Sequence, residues 1–333
     1  MPSTKARNVL LVLILSLKTF LSLGLQVAVI GTTGNIGRTA VTQLSKANIS
    51  TRCLLRHDIT LTDNDTNAQK NSVSIAKSLA SLPNVSMVQG DITNPESIQT
   101  LIQGCDAVLC LQGPPKPSPI KSLIPFLSNP NESSHPYMTN YIGMKNVIDA
   151  VKESENPNKR IVRLTGKGEE PFAIFTVLIN MLGYLAKAWN YEGEQLLRKS
   201  GLKYTIVRPG LLKKDEDYQI PKKGKMIKDQ GGDMKVTPVT YSQIANVCIE
   251  SLNYDNCDMS TLTVMNADEG QGEDDYGILL QQVENDKEGR YPESLLEQHK
   301  MGARLGFVGL IAFVLGFANV INKLFVFVSS LLF

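Results

Sequence analysis

The chain has 333 residues, 42% of them hydrophobic, enough for one large domain with a sizeable core or for two small ones. Its formal net charge of +2 gives no electrostatic reason to expect a nucleic-acid partner. Five cysteines, Cys53, Cys105, Cys110, Cys248 and Cys257, are odd in number and fit neither a zinc site nor a CxxC pair, so neither a disulfide framework nor a metal centre is expected.

In chain order, residues 1–24 read as a signal peptide or hydrophobic leader. Lys5 and Arg7 precede the short apolar run "VLLVLILSL", and small residues follow at 22–24. A regular alternation begins at residue 26. "QVAVIG" is a buried strand closed by glycine, followed by a helix over about 35–47. "STRCLLR" (50–56) is the second strand, and a long polar connection to 83 carries a helical stretch near "SVSIAKSLASL". "VSMVQGD" (85–91) is the third strand, and "PESIQTLIQG" a helix with Pro95 in its first turn. "DAVLCLQG" (106–113), "RIVRLTG" (160–166), "YTIVRPG" (204–210) and "TLTVMNA" (261–267) complete the set. Strands alternating with helices at this interval predict an α/β fold, a Rossmann-type doubly wound parallel sheet, over 25–267. The basic stretch "KKGKMIKDQ" (222–230) reads as a solvated loop, and 268–304 as a polar linker.

Residues 305–333 read as a membrane anchor. The run 305–321 has Asn319 as its one polar side chain and shows no polar face, and a second apolar run follows Lys323. Lys300 and Arg304 just before it favour a cytosolic body, whereas a leader would send the body into a lumen, so sidedness stays open. An endomembrane or organelle membrane is the expected location.

"VAVIGTTGNIGRTAV" places Gly31, Gly34 and Gly37 between the first strand and first helix, the context in which such glycines cradle a dinucleotide pyrophosphate. Thr33, Asn35 and Ile36 belong to the same turn. The second strand ends in Arg56 rather than an acidic residue, which suits the 2′-phosphate of NADP(H); Asp58 nearby keeps NAD(H) open. Asp91 and Ile92 would lie by the adenine, and Gln112 and Gly113 by the ribose and nicotinamide end, since ligands sit at the carboxyl ends of such strands.

With these pieces go "VQGDITNPESIQTLIQGCDAVLCLQG", "NYIGMKNVIDAV", "EQLLRKSGLKYTIVRPGLL" and "VTYSQIANVCIESL". In that order, over about 26–267, they resemble the atypical short-chain dehydrogenases/reductases, in particular the NmrA-like, NAD(P)H-binding branch. The resemblance implies a Rossmann fold with NADP(H) at Gly31, Gly34 and Gly37 and Arg56 at the phosphate. Tyr141 and Lys145 have the four-residue spacing of the catalytic pair in such reductases. They precede the fifth strand, whereas that pair follows it, so they are expected to be structural. Relatives often carry a lysine four residues before the matching glutamate, Glu194; here that position is Asn190. Thr165 stands where related enzymes have serine. Thr165, Tyr184 and Lys187 are the substitute candidates, the last two spaced to share a helix face. "PFAIFTVLINMLGYLA" (171–186) is a third apolar segment, either a core or interface helix or a lipid-facing wall. The expected function is a membrane-attached reductase acting on a small hydrophobic carbonyl or alkene. The alternative is a non-catalytic module that senses NADPH or scaffolds a membrane-complex partner.

Overall fold

The computed structural model describes residues 24–56, 67–113, 129–229 and 236–332. The apolar leader up to residue 23 and Asp58 lie outside the described residues.

The glycine-punctuated alternation builds one parallel sheet. Its strands are β1 (Gln26–Ile30), β2 (Ser50–Leu55), β3 (Val85–Gln89), β4 (Ala107–Cys110), β5 (Arg160–Leu164) and β6 (Tyr204–Pro209), with β7 (Leu211–Lys213), β8 (Lys225–Asp229), β9 (Pro238–Thr240) and β10 (Ser260–Asn266) following. The large sheet runs β3-β2-β1-β4-β5-β6-β10-β8, and β7 pairs with β9 in a small second sheet. All neighbours in the large sheet are parallel except β8, which lies antiparallel to β10. Strand order reverses between β1 and β4, which opens a crevice at their carboxyl ends.

Alternation along each strand fills two helical layers. Val27 and Val29 of β1 and Ala107 and Leu109 of β4 face one layer. That layer contains α1 (Asn35–Lys46), together with α7 (Tyr241–Glu250) and α8 (Tyr276–Leu280). Ala28 and Ile30, with Val108 and Cys110, face the other. There lie α3 (Pro95–Ile102), α4 (Gly143–Glu153) and Leu197 of α6 (Ala186–Arg198). The helix α2 (Asn67–Ala80) follows β2. Caps sit where the sequence supplies them. Asn94 accepts from the Glu96 N–H ahead of Pro95, and Thr240 with Gln243 forms a reciprocal capping box on α7.

Two stretches differ from the sequence reading. The basic run 222–230 is not simply a solvated loop: it contains β8, whose Met226 and Ile227 pair against Met265 and Val264. Lysines masked the strand because Lys225 and Lys228 flank its two apolar residues. The stretch 268–304 is not a loose linker either. Tyr276 and Leu280 are buried in the core, and Asp286 accepts from the Tyr204 and Thr261 hydroxyls. Tyr191 donates to the Pro292 carbonyl, and Glu192 accepts from Ser294 and from the Leu295 N–H. A few well-spaced apolar anchors, invisible in the polar average, hold this stretch to the body.

The C-terminal helix α9 (Leu296–Leu332) begins inside that stretch. Its first turns pack on the body, with His299 and Ala303 buried. Beyond them it is long and apolar enough to cross a membrane; its most apolar window has a mean hydropathy of 2.0 and none of it is buried. Between β5 and α6 lies α5 (Ile174–Leu182), packed along the start of α9.

Candidate cofactor and active site

Gly31 turns the chain out of β1 at φ +85°, and a side chain there would strike the backbone of Gln112 at 2.5 Å. A Cβ on Gly37 would lie 2.1 Å from the Gly31 carbonyl, so only glycine lets α1 approach the strand end this closely. Gly34 donates its N–H to Gly31 at 3.1 Å and precedes α1 without any capping side chain. Such an uncapped helix start, aimed along a glycine turn, suits an anion. Asn35 opens the helix, and Ile36 is buried beneath it.

This turn opens into a cavity of about 270 Å³ at the carboxyl ends of β1–β4. Gly31, Thr33, Arg56, Asp91, Ile92, Gln112 and Gly113, all expected from sequence, line it. Arg56 sits half-exposed at the rim, its Nε 3.8 Å from the Asp91 carboxylate. Asp91 is itself held by the Thr93 N–H and hydroxyl, each at 2.9 Å. The Gln112 side-chain amide is buried with neither polar atom paired among the described residues, as fits a cavity wall awaiting a polar ligand. The glycine cradle and this orphaned amide together fit a dinucleotide. Sequence reasoning missed Gln69, Ser72 and Thr139, which also line the cavity from α2 and from the π-helical turn Tyr137–Ile142. No local motif marks them.

The far end of the site, beyond β4 and β5, is ruled by two buried arginines. Arg208 of β6 is fully buried and forms an ion pair with Glu194 through Nε and Nη2, with Glu169 on Nη1. Arg198 adds a second guanidinium to Glu194 at 3.1 Å, and the Thr165 hydroxyl donates to the same carboxylate. Burial pushes the Glu194 carboxyl up, opposed by Arg198 and by the hydrogen bonds from Thr165 and Arg198. Burial lowers Arg208 to about 10. Arg163 of β5, equally buried, has only neutral oxygens as hydrogen-bond partners among the described residues. They are the Gln112 carbonyl at 3.4 Å, Asn140 Oδ1 at 3.1 Å and Asn190 Oδ1 at 3.2 Å. Its Nε and the Asn140 amide nitrogen are unpaired among the described residues, and burial lowers its pKa. Thus a guanidinium from the adjoining strand reaches Asn190, the position where relatives often carry lysine.

Tyr184 and Lys187 do not share one helix face. Tyr184 and Leu185 have φ of +54° and +62°, so Tyr184 lies in a left-handed break between α5 and α6. Its ring stacks on His135 at 5.8 Å. Lys187 lies in the first turn of α6, and a Cβ on Gly166 would meet its ammonium at 2.9 Å. Burial lowers its pKa. Lys187 and Thr165 therefore both stand at the end of β5, and Tyr184 is displaced from the helix that carries Lys187. Tyr141 stacks on Tyr137 at 5.7 Å beside Trp189, while Lys145 points outward to Asp149 at 2.6 Å. That pair does not converge on one proton.

The sequence is 28% identical over 205 residues to an uncharacterized chloroplastic protein of Arabidopsis thaliana, covering 58% of this chain and 60% of that one. It is 24% identical over 221 residues to sanguinarine reductase of Eschscholzia californica, covering 58% and 78% respectively. The chain thus matches about 60% of the length of the first of these relatives and most of the second. Its fold matches a short-chain dehydrogenase/reductase from Veillonella parvula solved with NADP, at a TM-score of 0.51 and 12% identity over 81% of this chain and 98% of that one. The profile of the family described as NAD(P)H-binding covers residues 31–255. The chain belongs to this NAD(P)H-binding family, the branch its glycine turn and strand-end residues resemble.

Proposed function

We propose that the chain is a membrane-attached, NADP(H)-dependent oxidoreductase acting on a hydrophobic carbonyl or alkene. The observation that carries the cofactor part is Arg56 at the rim of the glycine-cradled cavity, with no acidic residue ending β2. A guanidinium there is suited to a 2′-phosphate. The bound nicotinamide would supply the hydride. Gly31, Gly34 and Gly37 would admit the pyrophosphate, with Thr33, Asn35 and Ile36 shaping the turn. Asp91 and Ile92 would flank the adenine, and Gln112 and Gly113 the nicotinamide side.

For the proton, Lys187 is the best placed of the three candidates. Its ammonium is sheltered at the end of β5, and burial eases its proton loss. The Thr165 hydroxyl is already committed to Glu194, so its role is to orient that carboxylate. Tyr184 would border the substrate. The exposed apolar length of α9 supports attachment to an organelle or endomembrane.

Titration of NADPH and NADH into the full chain in detergent tests the cofactor reading. Tight NADPH binding with much weaker NADH binding is expected; equal affinities would remove Arg56 as the phosphate reader. A second reading, a module that binds the cofactor without turnover, is favoured by Asn190 in the lysine position and by the broken Tyr184–Lys187 pairing. Lys187→Ala separates the two: lost turnover with near-normal NADPH binding supports the enzyme. A chain in which neither form consumes NADPH across hydrophobic carbonyls supports the module.

A further inference from the structure

The helix α5 is built inside out. Its polar residues Thr176 and Asn180 point inward and are buried, with Met181 beside them. Its outer face, with the preceding Phe172, carries Ile174, Phe175, Leu178, Ile179 and Leu182. Phe175 is 76% exposed and Ile174 72%. No residue from Pro171 to Ala186 is charged. A surface helix facing water has the opposite polarity, and a contiguous apolar patch of this kind marks a surface meant to be covered.

What covers it is set by α9. Gly302 and Gly306, one turn apart, bring the two helices into close contact. A Cβ on Gly306 would lie 2.4 Å from Val177 Cγ1, and one on Gly302 would lie 2.8 Å from the Pro171 carbonyl. Asn180 fastens the joint. Its Oδ1 accepts from the Lys187 and Ala188 N–H groups, capping α6, and its amide nitrogen meets His299 Nδ1 at 2.9 Å. His299 Nε2 donates to the Gly168 carbonyl. Beyond this joint α9 runs on, with Leu305, Val308, Phe313, Val314 and Phe317 all exposed. Residues 305–323, at about 1.5 Å of rise each, extend about 28 Å, close to the ~30 Å hydrocarbon thickness of a bilayer. The hydrocarbon would then begin at about residue 305, and α5 touches α9 at Gly306. Lys300 and Arg304 fall at the headgroup level.

We infer that α5 is a second membrane element, lying in the bilayer interface with Phe172, Ile174, Phe175, Leu178, Ile179 and Leu182 in the lipid. The inference rests on the reading of α9 as a membrane anchor, and it commits to lipid rather than to a second copy of the chain. It also fixes how the domain sits. The carboxyl end of β5 feeds α5 and α6 carries the chain back, so the edge of the site bearing Lys187 and Asn190 borders the membrane.

The test uses the full chain in phosphatidylcholine nanodiscs, with and without lipids brominated on the acyl chains. A fluorescent thiol label is placed singly by Phe175→Cys, Leu178→Cys, Phe313→Cys or Ile278→Cys; the five native cysteines are buried. Bromolipid is expected to quench 175 and 178 to a degree comparable with 313, and to leave 278, on the opposite helical layer, unchanged. Quenching at 313 without quenching at 175 and 178 would overturn the inference and leave the anchor standing. Absence of quenching at 313 would overturn the anchor and the inference with it. Unquenched labels at 175 and 178 in discs holding two chains would assign the face to a second copy and overturn the inference.

Discussion

Among the described residues Arg56 has one ionic neighbour, Asp91, across 3.8 Å, and both are partly exposed, so the pair itself contributes little to stability. Its value lies toward a ligand. A charge-assisted hydrogen bond is worth about 1.5–3 kcal/mol, so Arg56→Ala should weaken NADPH binding roughly 10- to 100-fold and leave NADH nearly unchanged, as read by calorimetry. Glu194 is the opposite case. It is fully buried between Arg208 and Arg198, and removing its charge leaves Arg208 with Glu169 and Arg198 with Asp286 as their remaining ionic partners among the described residues. Glu194→Gln should cost about 3–5 kcal/mol in a denaturation measurement; a loss under about 1 kcal/mol would mean the network is not load-sharing. At this scale the glycines, Arg56, Asp91 and Gln112 were legible because a strand end and its turn are local in sequence. Gln69, Ser72, Thr139 and Arg163 were not, because they reach the site from elements apart from the glycine turn and their residue types are common everywhere.

The elements around the far end of the site meet through close backbone contacts. A Cβ on Gly193 of α6 would lie 2.2 Å from the Asn140 carbonyl in the π-helical turn. Gly193→Ala must therefore push the helix off the turn that carries Thr139 and Asn140. A drop of about 1–3 kcal/mol, with weakened cofactor binding, is expected from parallel unfolding and titration. That same turn has a pH-sensitive start. His135 Nδ1 accepts from the Tyr137 N–H at 3.0 Å, which requires the unprotonated nitrogen. Burial holds its pKa below the ordinary histidine value, against the pull of Glu132. A group with a depressed folded pKa stabilises the fold above its unfolded value, about 6.5, and loses that contribution as pH falls through the folded value. The thermal midpoint should fall on acidification below pH 6.5, and less so in His135→Asn, whose amide oxygen can still accept from Tyr137. An unchanged slope in that variant would assign the acid loss elsewhere. Periodicity predicted β1–β6 and β10, whose apolar spacing is regular, but not the short β7, β8 and β9. It failed between α5 and α6. Three-residue spacing promised Tyr184 and Lys187 one face, but two consecutive left-handed residues interrupt the helix between them.

For the whole molecule, the packed stretch before the C-terminal helix sets where the folded body ends. A chain stopped after residue 304 keeps Tyr276, Leu280, Asp286 and the His299 contacts. One stopped after 267 exposes Leu262, Val264 and the Arg198 cluster they cover. The longer form should melt cooperatively and the shorter should not, as followed by circular dichroism. All five thiols are buried, and burial raises Cys53 and Cys110 to about 12. The folded chain should therefore resist iodoacetamide at pH 7.5 and become reactive only on unfolding. The doubly wound parallel sheet was readable from the alternation of 26–267, whereas the tail's attachment depends on tertiary contacts that composition averages away. The antiparallel β8 closes one end of the sheet. Its outer backbone at Lys225 is taken up by Glu273 in both directions, and the Lys225 ammonium reaches the Asp274 carbonyl over the Tyr276 ring. Lys228 stands exposed beside it. A short, lysine-bearing and partly plugged border is a poor template for another strand. The sheet therefore resists propagation into fibres at this end, and the basic residues that looked like a loose surface loop protect it against aggregation.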